Sequence, residues 1–230
     1  MENLNPAILI MTKVPQPGIV KTRLRPLLSD EQCAELSRCF LADTVAKALS
    51  VTTKVIVAYS AIGDEGLILD LVPESTTCIR QNGKDLGERM VSAINFAGSY
   101  GCGPIIVIGT DSPTLPPEVM ETALQRLAEP ATELVLGGTE DGGYYLIGLK
   151  QNIPAIFQGI PWSSDTVYST TLERAAQAGL TGIVELPKCY DIDTPDDLRR
   201  LFIELEEDPG AKCTTPETWR WIDDKRQLFY

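Results

Sequence analysis

Four short, unbroken apolar runs punctuate the chain, at residues 7–11, 55–58, 105–108 and 134–136, each bounded by polar residues, glycine or proline. Runs of that length without alternation read as strands buried on both faces. Between them the period lengthens to that of helices. Ser29-Asp30-Glu31-Gln32 has the form of a capping box, and Leu36, Phe40, Val45 and Leu49 recur along one side of the helix it opens. A second helix carries Leu86, Met90, Ile94 and Ala97, and a third follows Pro116-Pro117 with Met120, Ala123, Leu124 and Leu127. Residues 144–149 read as a further strand, parallel or antiparallel. Thr194-Pro195-Asp196-Asp197 is a helix start, with a capping hydroxyl, proline at the first helical position and acids in the first turn. Leu198, Leu201, Phe202 and Leu205 give that helix its buried stripe. A last short helix after Thr215-Pro216 would bring Trp219 and Ile222 together, against the core or another subunit.

Strand and helix in alternation imply right-handed crossovers, and so an α/β fold of three layers, α/β/α, around a mainly parallel mixed sheet. Ligands in such folds sit outside the carboxyl ends of the strands, so the residues just after each apolar run are the informative ones. At 230 residues, with no Gly/Ser-rich, Pro-rich or like-charge divider, the chain reads as one domain, 1–230. Its apolar runs are too short to cross a bilayer, and residues 1–5 lack a basic segment leading into an apolar one, so a cytoplasmic protein without membrane insertion is expected. The net charge of −12 argues against a nucleic-acid partner. Six cysteines lie scattered without metal-binding spacing, and there is no histidine. Ser–His and Cys–His catalysis are thereby removed, which leaves acid and base work to carboxylates, lysine, tyrosine or metal-bound water.

Five candidate segments follow strands or lead into helices. The first, residues 12–25, holds Lys13, Lys21, Arg23 and Arg25 in an otherwise acidic protein, and Gly18 allows close backbone approach. Phosphate is its natural partner, against the plainer reading of a solvated basic loop, and no Walker motif is present. On either reading Lys21 and Arg23 are expected to be exposed, with little weight in folding. Asp111, in Gly109-Thr110-Asp111-Ser112-Pro113, sits at a strand end where it could hold Mg²⁺ or Mn²⁺ or simply start a turn. A second acid, Asp193, lies just before the helix at Thr194, and an extended backbone would put Asp191 on the same face. In Glu140-Asp141-Gly142-Gly143 the carboxylate of Asp141 is a candidate base and Gly142 and Gly143 permit close approach of an acceptor, although Asp-Gly is equally a hairpin signal. The segment from Gln81 to Arg89 could contact base or ribose through Asp85 and Arg89, with Asp85 alternatively a helix cap. Trp162 would wall an acceptor pocket or pack in the core.

Taken together, Lys13-Val14-Pro15-Gln16-Pro17-Gly18 with Lys21-Thr22-Arg23-Leu24, the Asp85–Met90 segment, Gly109-Thr110-Asp111-Ser112-Pro113, the segment 141–149, Ile160-Pro161-Trp162 and Asp191-Ile192-Asp193-Thr194-Pro195 resemble a transferase family associated with radical-SAM and selenodomain proteins. That family lies in the nucleotide-diphospho-sugar transferase superfamily of GT-A fold. The resemblance implies that Asp111 is the metal-binding acid and that the loop from Lys13 to Arg23 faces nucleotide phosphates. The resemblance does not settle the reaction, since relatives include both glycosyltransferases and nucleotidyltransferases; the leading expectation is glycosyl transfer from a nucleotide sugar to a small acceptor, with metal on Asp111 and Asp141 as candidate base. The alternative is nucleotidyl transfer to a phosphorylated acceptor, with Asp111 and Asp193 both holding metal and Lys21 or Arg23 on the triphosphate. Pro15-Gln16-Pro17-Gly18, in place of a Gly-rich opening loop, weighs against that alternative. A non-catalytic nucleotide sensor ranks third.

Overall fold

The computed structural model describes residues 5–60 and 62–230, so the reading of residues 1–4 lies outside the described residues. Seven strands form one sheet: β1 (Ala7–Thr12), β2 (Val55–Tyr59), β3 (Thr77–Arg80), β4 (Ile105–Ile108), β5 (Leu134–Thr139), β6 (Tyr144–Leu149) and β7 (Ile183–Cys189). Their order is β3-β2-β1-β4-β6-β5-β7. β1, β2, β3 and β4 run parallel, as do β5 and β7, while β6 pairs antiparallel with both β4 and β5. The mixed, mainly parallel sheet is therefore as expected, and residues 144–149 supply its reversed strand.

The helices are α1 (Asp30–Val51), α2 (Gly66–Leu69), α3 (Leu86–Ser99), α4 (Pro117–Ala128), α5 (Val167–Gln177), α6 (Pro195–Glu207), α7 (Pro209–Thr214) and α8 (Pro216–Asp224). Successive β1 side chains point to opposite faces of the sheet. Ile8 and Ile10 join Val45, Met120 and Leu127 on the α1/α4 side, and Ala7 and Leu9 join Met90, Ile94 and Phe157 on the α3 side. A third cluster lies beyond the sheet, where Leu36 and Phe40 of α1 meet Leu198, Leu201 and Leu205 of α6 and Trp221 and Ile222 of α8. The stripe read along α1 thus serves two cores in turn. Ile222 is fully buried within this chain, and Trp219 packs partly buried beside it.

The capping box at Ser29 forms, Ser29 accepting from Gln32 N–H, and the Thr194 cap proves to be a second box, Thr194 accepting from Asp197 N–H, with the reciprocal side-chain bonds present in both. The C-terminal segment is fastened through a buried carboxylate. Asp43 of α1 accepts from Glu217 N–H at 3.0 Å and Thr218 N–H at 2.8 Å, meeting two of the donors that open α8. Replacing Asp43 by alanine leaves those donors unmatched and should lower stability by about 2–4 kcal/mol. Denaturant unfolding of Asp43→Ala checks this; a loss below about 0.5 kcal/mol would mean that α8 holds its place by apolar packing alone.

Candidate active site

The chain reverses its direction of growth across the sheet between β1 and β4, and the crevice outside their carboxyl ends is where an open α/β sheet receives ligands. Three segments meet there. β4 ends at Ile108, and in the loop after it the Asp111 carbonyl accepts from Ile192 N–H at 2.8 Å, which ties that loop to the segment leading into α6. The third segment follows β1. Lys21, in left-handed backbone conformation at φ 49°, turns its side chain inward ahead of the 3-10 turn Thr22–Leu24.

Its ammonium lies 2.5 Å from Asp111 Oδ1, 3.3 Å from Asp193 Oδ1 and 2.7 Å from the Ile192 carbonyl. Three protons thus meet three oxygens, one from each carboxylate and one from the backbone between. The Lys21 side chain is only 7% exposed, whereas Asp111 and Asp193 are 52% and 40% exposed. Burial opposes the charge on Lys21, but the two carboxylates more than offset it, and its pKa is raised above the ordinary lysine value. The expectation of an exposed Lys21 is therefore corrected: the cation is enclosed because two acids and a carbonyl replace its water. Arg23 is exposed as expected, 3.3 Å from Asp193 Oδ2.

Behind this pair lies a cavity of about 80 Å³ bordered by Thr44, Lys47, Asp111, Ser112, Tyr144 and Asp191. Asp191 accepts from Ser112 Oγ at 2.6 Å. Burial pushes its carboxyl up to about 6; the Ser112 bond opposes this, while nearby Asp111 and Asp141 add to it. Lys47 went unread in the sequence, sitting amid the apolar residues of α1. It is buried, donates to the Pro113 carbonyl, and burial lowers its pKa to about 8 despite Asp43 nearby.

Glu140-Asp141-Gly142-Gly143 forms the β5–β6 hairpin, the structural role that was weighed for it. Asp141 Oδ1 accepts from Thr139 Oγ1 at 2.5 Å and from Gly143 N–H at 3.1 Å. Gly142 is required twice over: its φ is +92°, and a Cβ there would lie 2.0 Å from the Asp165 carbonyl oxygen. Glu140 makes a two-pronged ion pair with Arg200 of α6 at 2.7 and 3.0 Å, and the guanidinium stacks 3.7 Å from the Tyr190 ring centroid. This clamp holds the Asp141 turn to the helix that follows Asp193.

Trp162 is half-buried, edge-on to Tyr144 at 6.4 Å between centroids. Its ring also covers Gly87, where a Cβ would lie 3.0 Å from Trp162 Cζ2 and 2.6 Å from the Phe157 carbonyl oxygen. Asp85 caps α3, accepting from Glu88 N–H at 2.8 Å, and Arg89 Nε donates to the Gly83 carbonyl at 3.1 Å, so both carry the structural duties of their loop. Asp85 stands at a second, open cavity of about 630 Å³ between α3 and residues 154–159, which Arg89 does not line. Lys13 and Gly18 are exposed, and Gly18 turns at φ +78°. The structure therefore gathers Lys21, Arg23, Asp111 and Asp193 into one cluster. Asp141 is near enough to raise the pKa of Asp191, while Asp85 and Arg89 belong to the α3 side.

Among the described residues no group of three cysteine, aspartate or glutamate side chains is arranged to hold a metal ion. The Asp111–Asp193 pair nonetheless fits Mg²⁺ or Mn²⁺. Its donors are hard oxygens already gathered around one positive charge, and such ions use one or two carboxylates, with water and phosphate completing the shell.

The fold and this crevice define the nucleotide-diphospho-sugar transferase class. Within it, residues 42–164 match the family described as uncharacterized protein conserved in bacteria (DUF2064), and the chain belongs to that family. A proposed nucleotide-diphospho-sugar transferase from Desulfovibrio desulfuricans G20 is 31% identical, with 98% of this chain and 97% of that one covered and a TM-score of 0.88. A cytidylyltransferase from Leptospira borgpetersenii shares the fold at 12% identity, with 98% and 97% covered and a TM-score of 0.58. So does a 4-diphosphocytidyl-2C-methyl-D-erythritol synthase from Anaerococcus prevotii, at 10% identity, with 88% and 97% covered and a TM-score of 0.58. No curated protein sequence matches this chain. Among the described residues no helix is long and apolar enough to cross a membrane.

Lys47 sets a pH dependence. Its folded pKa is lowered to about 8 from an unfolded value of 10.5, so between these values the unfolded chain holds a proton that the folded one has released, and stability gained from this group rises with pH. Below about pH 8 the group costs on the order of 3 kcal/mol. Lys47→Met should be at least as stable as the unaltered protein at pH 7, and its advantage should shrink towards pH 10. Denaturant midpoints across that range check it; a variant several degrees less stable at pH 7 would make Lys47 a needed charged strut under the Asp111 loop.

Proposed function

We propose that this nucleotide-utilising transferase moves a glycosyl group from a nucleoside-diphosphate sugar to a small acceptor, with Mg²⁺ or Mn²⁺ held by Asp111 and Asp193. The supporting observation is the convergence of both carboxylates on a single cation outside the ends of β1 and β4, the crevice where the fold receives nucleotide. When bound there, the divalent ion neutralises the charge that develops on the leaving diphosphate.

The chain's own residues do the rest. Lys13, Arg23 and the backbone at Gly18 border the phosphates on the β1 side, and the loop carrying Asp85 and Arg89 faces base or ribose. The acceptor rests against Gly142, Gly143 and Trp162. Asp141 takes its hydroxyl proton on Oδ2, because Oδ1 is engaged by Thr139 and Gly143. The Glu140–Arg200 clamp fixes the turn that carries this carboxylate.

A second reading, nucleotidyl transfer from a nucleoside triphosphate to a phosphorylated acceptor, uses the same two acids on the metal, so the convergence of Asp111 and Asp193 serves it equally. The two reactions differ in what they release. Nucleotide sugars turned over with release of nucleoside diphosphate support the first; triphosphates turned over with release of pyrophosphate support the second.

Asp111→Asn keeps the turn-forming side chain and removes a charge. Mn²⁺-dependent nucleotide affinity should fall at least about tenfold, with a loss of stability of about 1–2 kcal/mol from the weakened Lys21 pair. Calorimetric titration with and without Mn²⁺ checks it; affinity that stays metal-enhanced in the variant would contradict the assignment.

A further inference from the structure

Lys21 stands in the place the metal reading reserves for a divalent cation. Its ammonium is satisfied on every side by Asp111, Asp193 and the Ile192 carbonyl, so in this arrangement it has no proton to offer a phosphate. A divalent ion bound between the two carboxylates through Asp111 Oδ1 and Asp193 Oδ1, the oxygens 2.5 Å and 3.3 Å from the ammonium, would be in contact with that second cation. The backbone is bent to hold it there: Lys21 adopts φ 49°, a conformation uncommon for a residue with a Cβ, and its carbonyl accepts from Cys33 Sγ at 3.3 Å. The Phe40 ring sits 5.6 Å from the ammonium, closing the inner side. The route out is towards Asp111, which is half-exposed, and the Arg23 side of the loop.

We propose that Lys21 is a built-in counter-cation of the metal site, which keeps Asp111 and Asp193 neutralised until a divalent ion displaces it, and whose displaced ammonium then becomes available to the donor phosphates. Metal and nucleotide are thereby coupled. The ion must expel Lys21 to bind, and phosphate oxygens offer the expelled ammonium a new partner, so each ligand favours the other. This inference rests on the metal assignment made above.

The test is Mn²⁺ uptake by nucleotide-free protein, read from the electron paramagnetic resonance signal of unbound Mn²⁺, in the unaltered chain, Lys21→Met and Asp111→Asn. Lys21→Met should bind Mn²⁺ at least tenfold more tightly than the unaltered chain, and Mn²⁺ should raise its melting temperature more. Asp111→Asn should lose the site. Equal or weaker Mn²⁺ binding in Lys21→Met, with Asp111→Asn still defective, overturns the counter-cation role and leaves the metal assignment standing. Failure of every form to bind Mn²⁺, with or without nucleoside triphosphate or nucleotide sugar, overturns both. Should Lys21→Met not fold, acetylation of Lys21 in the unaltered chain, followed by mass spectrometry, decides the question. Lys21 should react far more slowly than exposed Lys13 without metal and several-fold faster once Mn²⁺ is bound; bound Mn²⁺ with no change at Lys21 overturns the proposal.

Discussion

A buried ammonium must find oxygens, and the arrangement around Lys21 follows from that requirement. Withdrawn from water, the charge is tolerated only if carboxylates and carbonyls replace its hydration. Asp111 and Asp193 come from opposite halves of the chain, and the backbone bond from Ile192 N–H to the Asp111 carbonyl holds their segments in register. The loop after β1, the loop after β4 and the entry to α6 are thus drawn to one point by a single charge. The same point is the crevice between β1 and β4, so the element that organises the loops also occupies the candidate site.

Acid is concentrated around that point. Asp111 and Asp141 both stand near Asp191, whose burial raises its carboxyl towards neutral pH. A protein of net charge −12 that is to receive a polyanionic nucleotide needs positive charge in its crevice; Lys21 and Arg23 stand there, and the proposed function adds a divalent ion. Rigidity comes from behind. Asp43 fastens α8, and the Glu140–Arg200 pair with Tyr190 beneath it holds the β5–β6 turn.

What the sequence revealed follows a physical line. Strands buried on both faces announce themselves as apolar runs, and β1, β2, β4 and β5 were legible for that reason. The two edge strands were not. β3 is only partly buried, and β7 alternates and contains Pro187, which an edge strand tolerates and a central one would not. Helix α5 escaped because its buried face is Val167, Thr171 and Ala175, a weak stripe whose N-cap Thr166 makes no side-chain bond. Asp111 and Asp193 could be picked out because each stands at the end of an element with a strong local signature. Their partnership through Lys21 spans more than 170 residues of chain and has no local trace, nor do the Glu140–Arg200 clamp and the burial of Lys47.

The central claim is that Asp111 and Asp193 hold one divalent ion beside the donor phosphates. It is tested most directly by anomalous diffraction at the manganese edge from crystals grown with Mn²⁺ and a nucleotide or nucleotide sugar. The account predicts a single strong peak bridging Asp111 and Asp193, with phosphate oxygens completing the shell and the Lys21 ammonium moved off the carboxylates. A nucleotide bound in the crevice with Lys21 still between the two acids, or manganese held at Asp141 and Asp191 instead, would contradict it.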